Sequence, residues 1–503
     1  MSSEIVSKEI GEIDLKNQAF IDGKYCPAIS GKTFDCISPI DGKKVTEIAE
    51  CGKEDIDKAV NAAKKVFEKG SWSRTAPSHR KKILIKFSEL IKKNFDELSL
   101  LETIDMGKPI KFSQDDIKGV ITCIRWYGEA IDKIYDEIAP TNPGTLALMN
   151  REPLGVIGAV TPWNFPLAMA AWKMGPALAT GNSMVLKPAE QSPLTAIRIG
   201  ELAIEAGIPE GVFNVVPGDG PNAGKALGMH MDVNKIAFTG SAEVGKFFLQ
   251  YAGLSNMKSV SLECGGKSAN IIFSDAPNLD FAINQAAWGM FYNSGQVCDA
   301  ASRLVIDEKI KDEFLEKIIN LSKEIKPTNP LDPGTTMGSM VDKIQTDRVM
   351  KYIDIGKQEG AKVVLGGKQV NQSTGGFYIE PTIFDNVKND MKVAQEEIFG
   401  PVLSTITFRN EEEAATIGNE TVYGLQSAVW TKDINKAHRV AKSLRSGKVM
   451  INTWDGGDIT TPHGGFKQSG FGVDKSLHAI DKYTQLKLTW IAIDSSNSNG
   501  DGN

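Results

Sequence analysis

Ile56, Ala59, Val60, Ala63 and Val66 recur at the three- and four-residue spacing of a helix with one buried face, so residues 55–67 are predicted helical. From Gly155 the pattern changes. Short continuous apolar runs alternate with helix-like stretches: GVIGAV, then a helix from about Leu167; SMVLK, then one from about Pro193; FNVV; KIAF, then one from about Ala242. Unbroken apolar runs of this length suit strands covered on both faces, and their alternation with helices predicts a parallel sheet. SVSLECGGKSANIIF and SRLVIDEKI open a second series that continues to about Gly470, which predicts a second α/β domain.

Two segments alternate apolar and polar residues instead: TLALMNR near residue 148, and YTQLKLTWIAI near the C-terminus. Both are bounded by Pro, Gly or Ser. They read as exposed strands in need of a partner, which predicts oligomerisation through sheet edges. The tail SSNSNGDGN has no apolar residue to bury and is predicted disordered. No internal repeat is present.

At 503 residues the chain exceeds the size at which one core stops growing, so two or three domains are expected. Hydrophobic residues make up 41% and charged residues 24%, as in an ordinary soluble protein. A formal net charge of -6 with no long basic run argues against nucleic acid or an anionic membrane as a partner. The opening MSSEIVSKEIGEID lacks the layout of a signal peptide, and no apolar run is long enough to span a bilayer. The 6 cysteines (Cys26, Cys36, Cys51, Cys123, Cys264, Cys298) form no CxxC pair and have no neighbouring histidine. Neither a disulfide framework nor a metal site is therefore expected, and a reducing, cytoplasmic setting fits.

Candidate chemistry centres on FYNSGQVCDAASR, where Cys298 follows a Gly-containing turn and precedes small residues. A thiol with an ordinary pKa near ~8.5 becomes nucleophilic there if its surroundings activate it; a buried small hydrophobe is the plainer reading of a lone cysteine. In SLECGGKSANIIF, Glu263 ends a β-rich run just before Cys264-Gly265-Gly266, where backbone turns give the carboxylate room; on its own it reads as a solvated charge. Asn164, between Trp163 and Phe165, suits either a helix cap or a hydrogen-bond donor in a site. No GxGxxG follows a strand; IAFTGSAEVG offers instead Gly240 after a strand, Ser241 to start a helix and Gly245 for close packing. Backbone amides at that helix start are placed to meet a phosphate.

The motifs TPWNFPLAMAAWK, SLECGGK and FYNSGQVC occur in this order, joined by VLKPAEQSP, IAFTGSAEVG, EEIFGPV and PHGGFKQSG. Together they make the chain, from Phe20 to about Ile493, similar to the aldehyde dehydrogenase superfamily. The resemblance implies an α/β fold with a Rossmann-like NAD-binding domain (1–134 and 154–265), an α/β catalytic domain (266–477) and a small β oligomerisation arm (135–153 and 478–495), with 496–503 a disordered tail. Homodimers or homotetramers follow from pairing of the arms.

By the same resemblance, Cys298 attacks an aldehyde carbonyl, Asn164 and the backbone N–H of the nucleophile form the oxyanion hole, and Glu263 activates water to hydrolyse the thioester. Lys173 matches a supporting position near the catalytic centre. Trp163, Lys187, Glu190, Gly240, Ser241, Gly245, Glu397 and Phe399 match positions that bind the cofactor. A carboxylate at Glu190 accepts hydrogen bonds from ribose hydroxyls and repels a 2′-phosphate, which favours NAD over NADP. Glu263 favours release of a free acid, since a coenzyme-A-acylating relative dispenses with that base.

Within the superfamily the chain looks most like the aminoaldehyde and γ-glutamyl-aminobutyraldehyde dehydrogenases, through RWYGEAIDKIY and DKSLHAIDKYTQLKLTWI. Broad aliphatic aldehyde dehydrogenases are a second reading, and a non-catalytic structural relative a third. The expected substrate pocket comprises Trp172, Phe291, Asp299, Trp454, Asp458 and His463. Asp299 and His463 depart from the family pattern and predict a polar pocket for an aldehyde with a distal amino or amide group; acidic side chains facing solvent is the competing reading. Asp299 beside Cys298 also disfavours the thiolate unless its charge is directed elsewhere.

Overall fold

The structure, a computed structural model, describes residue 11 and residues 13–493. The expectations for most of the opening segment and for the tail 496–503 therefore lie outside the described residues. Among the described residues no helix is long and apolar enough to cross a membrane.

The helix predicted over 55–67 spans Lys53–Lys69, and Ile56, Ala59, Val60, Ala63 and Val66 are its buried apolar face. The Gly52 N–H donates to the Asp55 carboxylate at 2.9 Å, satisfying one of the amides that a helix start leaves free. The alternating runs after Gly155 become strands Val156–Val160, Ser183–Lys187, Phe213–Val215, Lys235–Thr239 and Ser259–Glu263, all parallel. Helices Pro166–Ala179, Leu194–Ala206 and Ala242–Gly253 connect them, starting within a residue of where the sequence pattern put them. Alternate residues of Val156–Val160 feed separate cores: Ile157 and Ala159 on one face, Val156 and Val160 on the other.

In this eight-stranded sheet the order reverses beside Val156–Val160: the later strands Ser183–Lys187 and Phe213–Val215 lie on one side, and Lys235–Thr239 and Ser259–Glu263 on the other. Such a switch point opens a crevice at the carboxyl ends of the strands. The register aligns those ends. Val160 pairs with both Lys187 and Phe238, and Thr239 pairs with Glu263. TPWN, LKPAE, TGS and ECGG are thus set side by side.

A seven-stranded sheet follows, in the order Lys362–Leu365, Thr382–Asp385, Val402–Phe408, Arg303–Asp307, Ala269–Ile272, Gln426–Trp430, Lys448–Ile451. All but the antiparallel Lys362–Leu365 run parallel, with cores on both faces. Its amino ends are the informative ones. Gly265 and Gly266 lead into one strand, Cys298 and Asp299 precede another, Glu397 and Phe399 a third, and Gln426 and Lys448 each begin one. The carboxyl ends of the first sheet and the amino ends of the second line one cleft.

The two alternating segments form strands Thr145–Pro153 and Thr484–Ala492, which pair antiparallel with each other along their whole length. Glu137–Ala139 completes a three-stranded sheet. The partner each strand needs is thus found within the chain, while Thr484–Ala492 keeps a free edge with Leu486, Leu488 and Trp490 exposed.

Candidate active site

The cleft between the sheets has a volume of about 560 Å³. Cys298, Asn164, Glu263, Trp163, Gly240, Ser241, Glu397, Phe399, Trp172, Asp299, Trp454 and His463 all line it.

Cys298 is presented by a strained turn. Asn293, Ser294 and Gly295 have φ of 49°, 56° and 70°, the left-handed region, and only the last is glycine. Buried hydrogen bonds hold that conformation. Gln296, fully buried, donates to the carbonyls of Asn293 (3.1 Å) and Ser339 (3.3 Å) and accepts from Val341 N–H (2.8 Å). The Asn293 amide donates to the Asn164 carbonyl at 3.2 Å, and the Asn164 amide returns a bond to the Gln296 carbonyl at 2.9 Å. Asn164 is therefore no helix cap; the helix at Pro166 begins without a side-chain cap. Since an amide NH2 carries two donors, one N–H of Asn164 remains beyond its bond to Gln296.

Glu263 ends its strand with a relative exposure of 5%, so it is not a solvated charge. Among the described residues no donor reaches either of its carboxylate oxygens. Burial, with a smaller push from Asp474, holds the carboxyl well above its usual range, against the opposing charges of Lys482, Lys173 and Lys448. Burial likewise pushes the Cys298 thiol up, and the Asp299 carboxylate adds to it. Asp299 forms an ion pair with Lys448 at 2.6 Å. His463, tilted against Trp172 with ring centroids 5.1 Å apart, is pushed by burial to a pKa of about 3 and is neutral.

On the other side of the cleft, Ser241 caps helix Ala242–Gly253 by accepting from Val244 N–H at 3.3 Å. Gly245 lets that helix approach: a Cβ there would stand 3.1 Å from Cys264 Sγ. Glu397 accepts from Gly266 N–H at 3.1 Å, and a Cβ at Gly265 would stand 2.0–2.2 Å from its carboxylate. Burial raises Glu397 to about 7. Phe399, at φ 59°, packs edge-on to Trp163 with centroids 5.1 Å apart. Its carbonyl and that of Ile398 both accept from Gln345, at 2.9 and 3.0 Å.

Several expected residues stand back from the wall. Lys173 is buried beneath it, donating to Thr239 Oγ1 (2.6 Å) and to Asp474 (3.1 Å). Lys187, also buried, donates to Glu190 at 3.2 Å and the Pro188 carbonyl at 3.0 Å; Glu190 accepts from Gly220 N–H at 2.8 Å. Lys187 is thus not ordinary surface charge, whereas the Glu190 side chain is 37% exposed, and neither lines the cleft. Phe291 is a correction: its ring lies in the core with Ile283, Ala287 and Leu304, and the next residue, Tyr292, faces the cleft, because the helix ends at Phe291 and the chain turns there. Asp458 is a second correction. It is exposed and folds its carboxylate onto Thr460 (2.8 and 2.6 Å), while Asp455 lines the cleft.

The sequence reading missed Lys448, Asp474, Gln296, Gln345 and Tyr292. Lys448 and Gln345 lie far along the chain from the groups they touch, so no local pattern marks them. Asp474 stands beside PHGGFKQSG in a segment noted only for its resemblance, and Gln296 stands within the nucleophile motif itself.

The model of the aldehyde dehydrogenase family matches residues 25–489. The NADP/NAD-dependent aldehyde dehydrogenase PuuC of Escherichia coli (strain K12) is 48% identical over 482 residues, which cover 96% of this chain and 97% of that protein. The structure of an indole-3-acetaldehyde dehydrogenase complexed with NAD+ superposes with a TM-score of 0.96 at 55% identity, covering 98% of this chain and 100% of that one. That of a γ-glutamyl-γ-aminobutyraldehyde dehydrogenase from Burkholderia cenocepacia J2315 gives a TM-score of 0.96 at 51% identity, with coverage of 98% and 100%. By sequence across nearly its whole length, and by the fold that frames this cleft, the chain belongs to the aldehyde dehydrogenase family.

Proposed function

We propose that the chain oxidises an aldehyde to a carboxylic acid with NAD as the hydride acceptor, Cys298 as nucleophile and Glu263 as the base that activates water. The supporting observation is the meeting of Cys298, Asn164, Glu263, Glu397 and Phe399 in one cleft from two separate sheets.

The residues present suit a dinucleotide. The strand order switches at the cleft, a capped helix start follows Gly240, Glu397 on the wall offers a carboxylate to a ribose hydroxyl, and Glu190, at the neighbouring strand end just outside the cleft, offers a second to the far end of a dinucleotide. Trp163 and Phe399 supply an aromatic wall. Bound there, NAD would accept the hydride released from the substrate carbon. Glu190 disfavours a 2′-phosphate, so NAD is preferred over NADP.

Cys298 Sγ, as thiolate, bonds to the aldehyde carbon, and the carbonyl electron pair moves onto oxygen. The free N–H of Asn164 and the backbone N–H of Cys298 meet that charge, a contribution of about 3 to 4 kcal/mol per donor where such holes have been dissected. Loss of hydride leaves a thioester on Cys298. Glu263, ionised, takes a proton from water as the water oxygen adds to the thioester carbon, and the C–S bond breaks to return the thiolate and release the acid. A carboxyl raised by burial is a stronger base once ionised, which suits that step.

The preferred substrate in this reading is an ω-amino or γ-glutamylamino aldehyde. Trp163, Trp172, Trp288, Tyr292 and Trp454 line the cleft, and Asp455 stands on the same wall with its side chain exposed at the mouth. Aromatic faces with a carboxylate suit a distal ammonium group. The assay is NADH formation, comparing 4-aminobutyraldehyde with butyraldehyde. A higher kcat/KM for the amino aldehyde supports the substrate assignment, equal values favour a broad aliphatic enzyme, and turnover by Cys298→Ser removes the mechanism.

A further inference from the structure

Asp299 places a carboxylate on the residue that directly follows the nucleophile. A negative charge at that distance opposes formation of a thiolate. The structure answers it with Lys448, the first residue of strand Lys448–Ile451, whose ammonium lies 2.6 Å from the Asp299 carboxylate. Both side chains are 18% exposed, so water screens the pair only in part. Both also line the cleft that holds Cys298.

The other charged groups around the thiol do not replace this cation. Glu263 and Glu397 are acids on the same wall, and His463 is neutral. Lys173 and Lys482 are both committed to Asp474. Lys475 lines the cleft but sits over the Trp172 ring, 5.4 Å from its centroid, and Arg348, also on the wall, donates to the Glu397 carbonyl at 3.0 Å and lies over the Tyr352 ring. Lys448 is brought to Asp299 by sheet register: its strand pairs with Gln426–Trp430, Lys448 opposite Gln426, and that strand pairs in turn with Ala269–Ile272, next to the strand that follows Asp299.

We propose that Lys448 is a positioning residue for the nucleophile: it binds the Asp299 carboxylate and cancels its charge, so that Cys298 can ionise beside an acidic neighbour. The proposal rests on the reading of Cys298 as nucleophile, and it assigns Lys448 a role through Asp299 rather than through the substrate. The direction of the thiol's perturbation agrees, with Asp299 raising it and Lys448 lowering it.

The test is the pH dependence of iodoacetamide alkylation in the full-length enzyme without cofactor, read on the Cys298 peptide by mass spectrometry. Lys448→Met strands the Asp299 charge and moves the alkylation midpoint up by about one pH unit, slowing alkylation about tenfold at neutral pH. Asp299→Asn, which leaves the cation, moves it down. The double variant returns to within about twofold of wild type, and Lys448→Arg keeps the wild-type profile. If Lys448→Met does not fold, the downward shift in Asp299→Asn carries the test. Unchanged midpoints in both single variants, or shifts of the same sign, overturn the proposal. Alkylation is independent of turnover, so a failure here is distinct from failure of the mechanism, which activity of Cys298→Ser would reveal.

Discussion

The Asn164 amide donates to the Gln296 carbonyl at 2.9 Å, joining the loop after one sheet's strand to the loop that presents Cys298 from the other sheet. Asn164 thus braces the turn that carries the thiol, and in the proposed mechanism it has a second duty, meeting the developing oxyanion.

Asn164→Ala removes both. The expected result is a fall in kcat of roughly 10²- to 10³-fold, as for loss of a donor of this type, with a smaller change in KM. Steady-state NADH kinetics measures it; a kcat within about twofold of wild type would remove Asn164 from the oxyanion hole.

Glu263→Gln keeps the shape of the side chain and loses the base. Acylation and hydride transfer continue, so rapid mixing gives a stoichiometric burst of NADH followed by steady turnover reduced by roughly 10²- to 10⁴-fold. In the proposed mechanism Glu263 and Cys298 must both be ionised to act, and burial raises both. Activity should therefore climb with pH through neutrality toward the alkaline side.

The same burial has a thermodynamic sign. A carboxyl whose folded pKa exceeds its unfolded value adds no penalty when both states are protonated, and it costs stability as pH rises and the unfolded chain ionises first. Glu263→Gln should raise the melting temperature at alkaline pH and lose that advantage near about pH 4, below the unfolded value. Equal shifts at both pH values in differential scanning calorimetry would contradict the burial argument.

Gly265→Ala drives a Cβ to 2.0–2.2 Å from the Glu397 carboxylate, so the acid must leave its bond to Gly266. NAD affinity should fall about tenfold, or about 1.4 kcal/mol, by titration calorimetry, with the melting temperature less affected than the affinity.

The exposed edge Thr484–Ala492 carries Leu486, Leu488 and Trp490 into solvent in the single chain. If subunits join through it, Leu488→Lys lowers the mass measured by light scattering, since charges on an edge strand block pairing. An unchanged mass would place the contact elsewhere.

Much of this architecture can be read from residues in order. GVIGAV, SMVLK and KIAF are apolar without interruption because their strands are covered on both faces, and the helices between them begin within a residue of the expected positions. The motif-bearing residues Cys298, Glu263 and Asn164 gather because each stands at a strand end or just beyond one. Phe291 and Tyr292 show where such reading stops. Two adjacent aromatics look alike in sequence, and only the end of the helix decides which one faces the cleft. Lys448 was hidden for another reason: its partner is 149 residues away and is fixed by strand register, which no local spacing reports.

The end-to-end meeting of the two sheets has a consequence for dissection of the protein. Asn164 and Glu263 travel with one half of the chain, while Cys298, Glu397 and Phe399 travel with the other. Under the proposed mechanism, a fragment ending before Gly266 would carry the base without Cys298 to serve, and one starting there would carry Cys298 with neither base nor oxyanion donor. Splitting the gene between them should therefore abolish turnover in each piece, and activity should return only when the two pieces reassemble.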